Sequence, residues 1–179
     1  MLRQLVLGAD RVVGWIVRIA TGVAALATLV GFGLVCYVVT ARYFFGRGPS
    51  WSDEVGGWLV VALVMLAVAE AQRRGEHIGV DLLLERTTGR PHRLLKAFGT
   101  LCVGATAAVL VWQGWETVAF SQMIDARPLS IAEMPLWMVQ ALIPLGAALM
   151  LLVTLIQLAG LATGVDLMPE HEDEVRATE

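Results

Sequence analysis

Residues 19–41 read IATGVAALATLVGFGLVCYVVTA, 23 positions without a charge. As an α-helix the stretch is roughly 34 Å long, and the hydrocarbon core of a bilayer is about 30 Å thick. It is long and apolar enough to cross a membrane. Three further runs follow. Val55–Ala69 has 15 residues, or 18 if the helix tolerates Glu70 and continues to Gln72; Ala97–Trp115 has 19; Met134–Val165 has 32. The fourth, at roughly 48 Å, is too long for an upright span and must tilt, bend or lie partly in the interface. Pro144 lies inside it and is the expected kink, because proline removes one i→i−4 hydrogen bond.

The whole chain agrees with these runs. Of its 179 residues 57% are apolar, 16% charged and 7% aromatic, and the mean hydropathy is +0.69. Soluble domains are about 45–50% apolar and about 25% charged. The excess excludes disorder, a coiled coil and an ordinary soluble enzyme. With a net charge of −3 and no basic patch, no nucleic-acid partner is expected. The sequence predicts an all-α, integral membrane four-helix protein. Its membrane domain is 1–165, with spans at about 15–41, 51–72, 95–116 and 134–162. An acidic tail follows at 166–179, with Glu170-His171-Glu172-Asp173-Glu174 lacking apolar periodicity.

Lys and Arg set the direction. Arg3, Arg11 and Arg18 precede span one; Arg73, Arg74, Arg86, Arg90, Arg93 and Lys96 fall in the second loop; Arg176 is in the tail. That places ten of the 13 basic residues on one side, with Arg42, Arg47 and Arg127 on the other. Both termini and the middle loop are therefore expected in the cytoplasm. Trp51, Trp58, Trp112, Trp115 and Trp137 fall near the outer helix ends, as an aromatic belt does, and only Trp15 is near the inner face. Val39-Thr40-Ala41 resembles a signal-cleavage site, but the preceding apolar run exceeds the roughly 7–15 residues of a signal h-region, so an uncleaved span is expected.

Both outer helix starts carry a Ser-x-x-acid pattern, Ser50-Trp51-Ser52-Asp53 and Ser130-Ile131-Ala132-Glu133. It reads as a capping box whose acid also suits the helix dipole. Capping by Asp53 and Glu133 is compatible with a partner contact. At the inner end of span two, Glu70 and Arg74 stand at i, i+4 with the acid first, the better order for an ion pair, which lets Glu70 sit near the lipid boundary. Arg18 can snorkel to the headgroups. After Gly75, Ile78, Leu82 and Leu83 share a helical face opposed by Asp81 and Glu85, and Gly89 and Pro91 end the stretch. A short interfacial helix is expected there, between spans two and three. Leu94, Leu95 and Phe98 lead into span three. The small-x-x-x-small pairs Ala20/Ala24, Gly104/Ala108 and Gly160/Gly164 mark candidate close helix contacts.

No catalytic constellation is visible, so no enzyme activity, cofactor or metal is expected. His77, His92 and His171 lie in loops or the tail, which leaves no paired axial haem ligands within the spans. Cys36 and Cys102 form no C-x-x-C motif and read as small buried apolar residues. There is no phosphate loop and no metal-ligand spacing. No internal repeat of transporter type is seen, and the span interiors are nearly free of polar groups.

Three blocks then stand out. The first is Arg42-Tyr43-Phe44-Phe45 followed by Trp51-Ser52-Asp53-Glu54. The second is Arg73-Arg74-Gly75-Glu76-His77-Ile78-Gly79-Val80-Asp81. The third runs from Ser130 through Met134-Pro135-Leu136-Trp137 to Leu142-Ile143-Pro144-Leu145-Gly146. In this order they resemble the small membrane subunit (DctQ-type) of tripartite ATP-independent periplasmic (TRAP) transporters, over about Arg42 to Leu152. Asp53 stands where Glu is more usual, and Met134 where a β-branched residue is commoner.

The resemblance implies a non-catalytic subunit in a bacterial or archaeal cytoplasmic (inner) membrane. Its implied partners are a large, sodium-coupled transport subunit, which it scaffolds, and a periplasmic substrate-binding protein, which it helps to dock for uptake of an organic acid. On location, Arg42, Arg47, Trp51, Asp53, Glu54, Arg127 and Glu133 are candidates for partner contact. Glu70, Arg73, Arg74, His77 and Asp81 form a candidate motif at the cytoplasmic interface, with His77 expected to order the loop by hydrogen bonding. Two other readings remain open: a membrane anchor of an oxidoreductase, and a self-contained small transporter.

Overall fold

The computed structural model describes residues 2–75, 90–128, 134–163 and 167. All regular structure among them is helical: α1 (Leu2–Phe45), α2 (Ser52–Arg74), α3 (Arg90–Met123), α4 (Leu136–Gln140) and α5 (Leu142–Thr163). Four stretches are long and apolar enough to cross a membrane: α1, α2, α3, and α4 with α5 together. The expected interfacial helix around Ile78–Glu85, the segment 129–133 and the acidic tail lie outside the described residues.

The helices outrun the uncharged runs. α1 is 44 residues long, about 66 Å at 1.5 Å per residue, and it starts well before the span expected at 15. Arg3, Asp10, Arg11 and Arg18 end the uncharged run without ending the helix, because none of them breaks helical geometry. One stripe of α1 is covered. Positions 6, 13, 20, 27, 34 and 41 and positions 10, 17, 24, 31 and 38 are all buried or half-buried, and nearly everything else on the helix is exposed. The alternating steps of 3 and 4 form a heptad repeat, the pattern that keeps one seam of a long helix against its neighbours.

That seam packs on α2 antiparallel. The Arg73 guanidinium lies over Gly14, Leu59 packs near Gly31, and Arg42 reaches towards Asp53. α2 and α5 run parallel, with Met65 against Gly146 and Gln72 against Gln157. α5 and α3 run antiparallel, with Thr154 against Gly104 and Pro144 against Gly114. Among the described residues α3 packs on α5 and α4 and reaches neither α1 nor α2, whereas α5 meets every other helix. A third of the most apolar window of α4–α5 is buried, against 6–17% in the other spans. The core is small: Val17, Ala69, Ala107, Met150 and Val153, with α1, α2 and α3 converging on α5.

Three expectations need correction. The first capping box does not form. Trp51 precedes α2 in a helical conformation with no side-chain cap, although a capping Ser needs an extended backbone; Ser52 Oγ instead donates to the Pro49 carbonyl at 2.7 Å. The break in span four falls at Ala141, three residues before Pro144. Pro144 has no N–H to offer the Gln140 carbonyl one turn earlier, so the interruption appears at the acceptor end of the missing bond. Cys36 and Cys102 are exposed, not buried. In a chain that presents its apolar surface to lipid, an apolar position need not face the protein interior.

Of the small-residue pairs, Ala20 and Ala24 are buried. On α3 Gly104 abuts Thr154, while its expected mate Ala108 is exposed and Ala107 takes the buried place. A Cβ on Gly146 would come within 2.7 Å of the Met65 carbonyl carbon, while one on Gly22 would meet nothing within 4 Å. Gly146→Leu should therefore force α2 from α5 and destabilise the bundle by about 1–3 kcal/mol or more, whereas Gly22→Leu should be nearly neutral. Unfolding of both variants in detergent checks this; equal midpoints would contradict the packing.

Candidate partner-contact sites

The polar groups gather at the two ends of the bundle, with one exception inside. At the tryptophan-rich end α1 closes through Gly46, whose φ of 67° favours glycine and whose N–H reaches the Arg42 carbonyl at 3.1 Å. Tyr43, Phe44 and Phe45 are each more than 80% exposed. Arg42 folds over Gly48, where a Cβ would sit 2.8 Å from its Nε, and lies 3.9 Å from Asp53 in an exposed pair that contributes little to stability. Trp51 and Arg47 are exposed. Glu54 has a buried carboxylate oxygen without a hydrogen-bond partner, as does the Gln140 side-chain oxygen on α4.

α3 ends in a Schellman turn. Asp125 is left-handed at φ 46°, its N–H donates to the Gln122 carbonyl, and the Ala126 N–H donates to that of Ser121; Asp tolerates this conformation better than most residues. Arg127 then grips Asp125 Oδ2 with Nε at 3.1 Å and Nη2 at 2.9 Å, so it braces the turn. The Leu136 N–H donates to the Ala126 carbonyl and joins α4 to the end of α3. Glu133 lies outside the described residues.

At the arginine-rich end the expected Glu70–Arg74 pair is present at 3.0 Å, with Glu70 Oε2 buried and unpartnered. Arg73 turns the other way, to Asp10 of α1 at 3.2 Å, with side chains 22% and 29% exposed. Its guanidinium fills the space over Gly14, where a Cβ would lie 2.7 Å from Cζ. Arg93 of α3 donates to the Leu161 carbonyl near the end of α5, a favourable place for a cation. His77 and Asp81 lie outside the described residues.

Sequence reasoning missed two contacts. Asp10 is charged yet occupies a seam position, seven residues before Val17, and that mismatch is its signal. The second contact corrects the expectation of polar-free span interiors. Gln72 Nε2 donates to Gln157 Oε1 at 2.7 Å, and Gln157 Nε2 returns a bond to the Gln72 carbonyl at 2.9 Å. These side chains belong to residues 2% and 4% exposed, and beside them on α5 is Thr154 at 0%, whose hydroxyl bonds its own helix at Leu151 O and Met150 O. The polar atoms of this cluster are spent on one another, which suits a structural joint.

The arrangement defines a class: a multi-pass helical membrane protein with its ionic groups at the helix ends and, among the described residues, no cluster of His, Cys, Asp and Glu able to hold a metal. Residues 31–164 match the family of tripartite ATP-independent periplasmic transporters, DctQ component, and the chain belongs to that family. It is similar to the C4-dicarboxylate TRAP transporter small permease protein DctQ of Pseudomonas aeruginosa, 26% identical over 136 residues. The alignment covers 73% of this chain and 65% of the relative, so the chain spans less than two thirds of that curated relative's length.

If Asp10–Arg73 ties α1 to α2, a double-mutant cycle with Asp10→Asn and Arg73→Gln should show about 1 kcal/mol of coupling in detergent unfolding. Additive single-variant effects would remove the pair from the joint.

Proposed function

We propose that this chain is the small membrane subunit of a TRAP-type secondary transporter. It braces a large, sodium-coupled membrane subunit and helps a periplasmic binding protein to dock for uptake of an organic acid, of which the C4-dicarboxylate in the relative's name is one example. The observation that carries this reading is the family match over 31–164, which takes in α2 to α5 and the second half of α1. The packing supports it: the buried amides and Thr154 are hydrogen-bonded within the bundle, and long apolar faces stay open for lipid and protein.

In this reading the arginine-rich end, both termini and the Glu70–Asp81 segment face the cytoplasm, as the Lys and Arg distribution favours, and the acidic tail hangs from residue 166. The tryptophan-rich end faces the binding protein. There Arg47 is the exposed cation of choice for docking, together with Trp51, Glu54 and Glu133, because Arg127 is engaged by Asp125 and Arg42 faces Asp53.

Cells lacking this chain should lose organic-acid uptake, and the affinity-tagged chain should copurify with the large membrane subunit. Arg47→Glu should weaken binding-protein docking about three- to tenfold, as expected for a rim charge, while the membrane complex stays assembled. Uptake that persists without the chain would contradict the proposal.

A further inference from the structure

The bare faces of the helices differ in chemistry. On α3 the buried residues Thr100, Ala107, Gly114 and Val118 lie about 160–200° around the helix from Glu116, at 100° per residue. Glu116 therefore points directly away from the bundle. It is exposed and makes no ion pair or hydrogen bond with the described residues. Phe98, Val109, Trp112, Phe120 and Met123 fall within about 40° of the same line, and each is more than half exposed. Gln113 is exposed one turn away. The result is an apolar strip about 38 Å long with a carboxylate and a carboxamide set into it. The outward face of α1 between Ile19 and Ala41 is also bare, but it carries no charge and no carboxamide.

A face without charge is satisfied by lipid. A carboxylate ringed by apolar side chains is costly against hydrocarbon and favours a covering protein that brings a cation or an N–H donor. The geometry points to the outward face of α3 as the surface on which the large membrane subunit packs, with Glu116 and Gln113 receiving an arginine or lysine from one of its helices. This rests on the proposed function and adds to it the helix and the contact chemistry. Through the antiparallel packing of α3 on α5, Glu116 is level with the start of α5, so the basic residue belongs near the tryptophan-rich end of the partner helix. The face of α1 is left to lipid.

The test uses the full chain co-expressed with the transporter's large membrane subunit. A photoreactive phenylalanine at Val109 or Phe120 should crosslink to that subunit, and the same group at Leu26 or Phe32 of α1 should not. Glu116→Arg should lower recovery of the large subunit about tenfold, as for one partner of a buried charge pair, while the melting of the isolated chain stays unchanged. Crosslinks from α1 alone, crosslinks from α3 to lipid alone, or full recovery with Glu116→Arg would overturn the docking face while leaving the proposed function in place. If the unsubstituted chain recovers no large subunit, both readings fail.

Discussion

At Gly146 the backbone of α5 runs so close to the Met65 carbonyl of α2 that one methyl group would collide with it. The same closeness recurs where Gly114 meets Pro144 and where Gly104 meets Thr154. In a bilayer, lipid tails are as apolar as leucine, so helices gain little by hiding apolar side chains from solvent; close van der Waals contact and interhelical hydrogen bonds must hold them. The structure depends on this closeness along α5. The parallel partner α2 and the antiparallel partner α3 are both set by it, and the Gln72–Gln157 pair adds register, because sliding either helix would strand two buried amides.

The bundle that results is open. α3 is attached through α5 and the short α4, and α1 through one heptad seam. Most of the surface of α1, α2 and α3 is left for the surroundings, which suits a chain whose work is to present faces to a membrane and to partners.

The helices were legible because an uncharged run of about 20 residues has few other physical meanings. Glu70–Arg74 was legible because an i, i+4 pair is local. The full lengths of α1 and α3 were not, since Asp10, Arg11 or Glu116 can end an uncharged run without ending a helix. Neither capping at Ser50 nor the break at Ala141 could be placed from residue type alone; the first depends on the backbone angles at Trp51, the second on where a missing bond leaves its acceptor. The long-range pairs Asp10–Arg73 and Gln72–Gln157 depend on helix order and direction. Cys36 and Cys102 were misread by a rule from soluble proteins, in which apolar implies interior. Of the partner-contact candidates, the sequence picked the right end for Arg127 but could not show that Asp125 already holds it.

At the centre of this account is a chain that supports transport without itself conducting a solute: its interior amides are paired with each other and its ionic groups are confined to the ends and one outward face. The most direct measurement is solute flux into proteoliposomes that contain the purified chain alone, under an inward sodium gradient, compared with vesicles that also hold the large subunit and are supplied with the binding protein. The account predicts flux at the level of empty vesicles for the chain alone and substrate accumulation for the full set. Accumulation by the chain alone would contradict it.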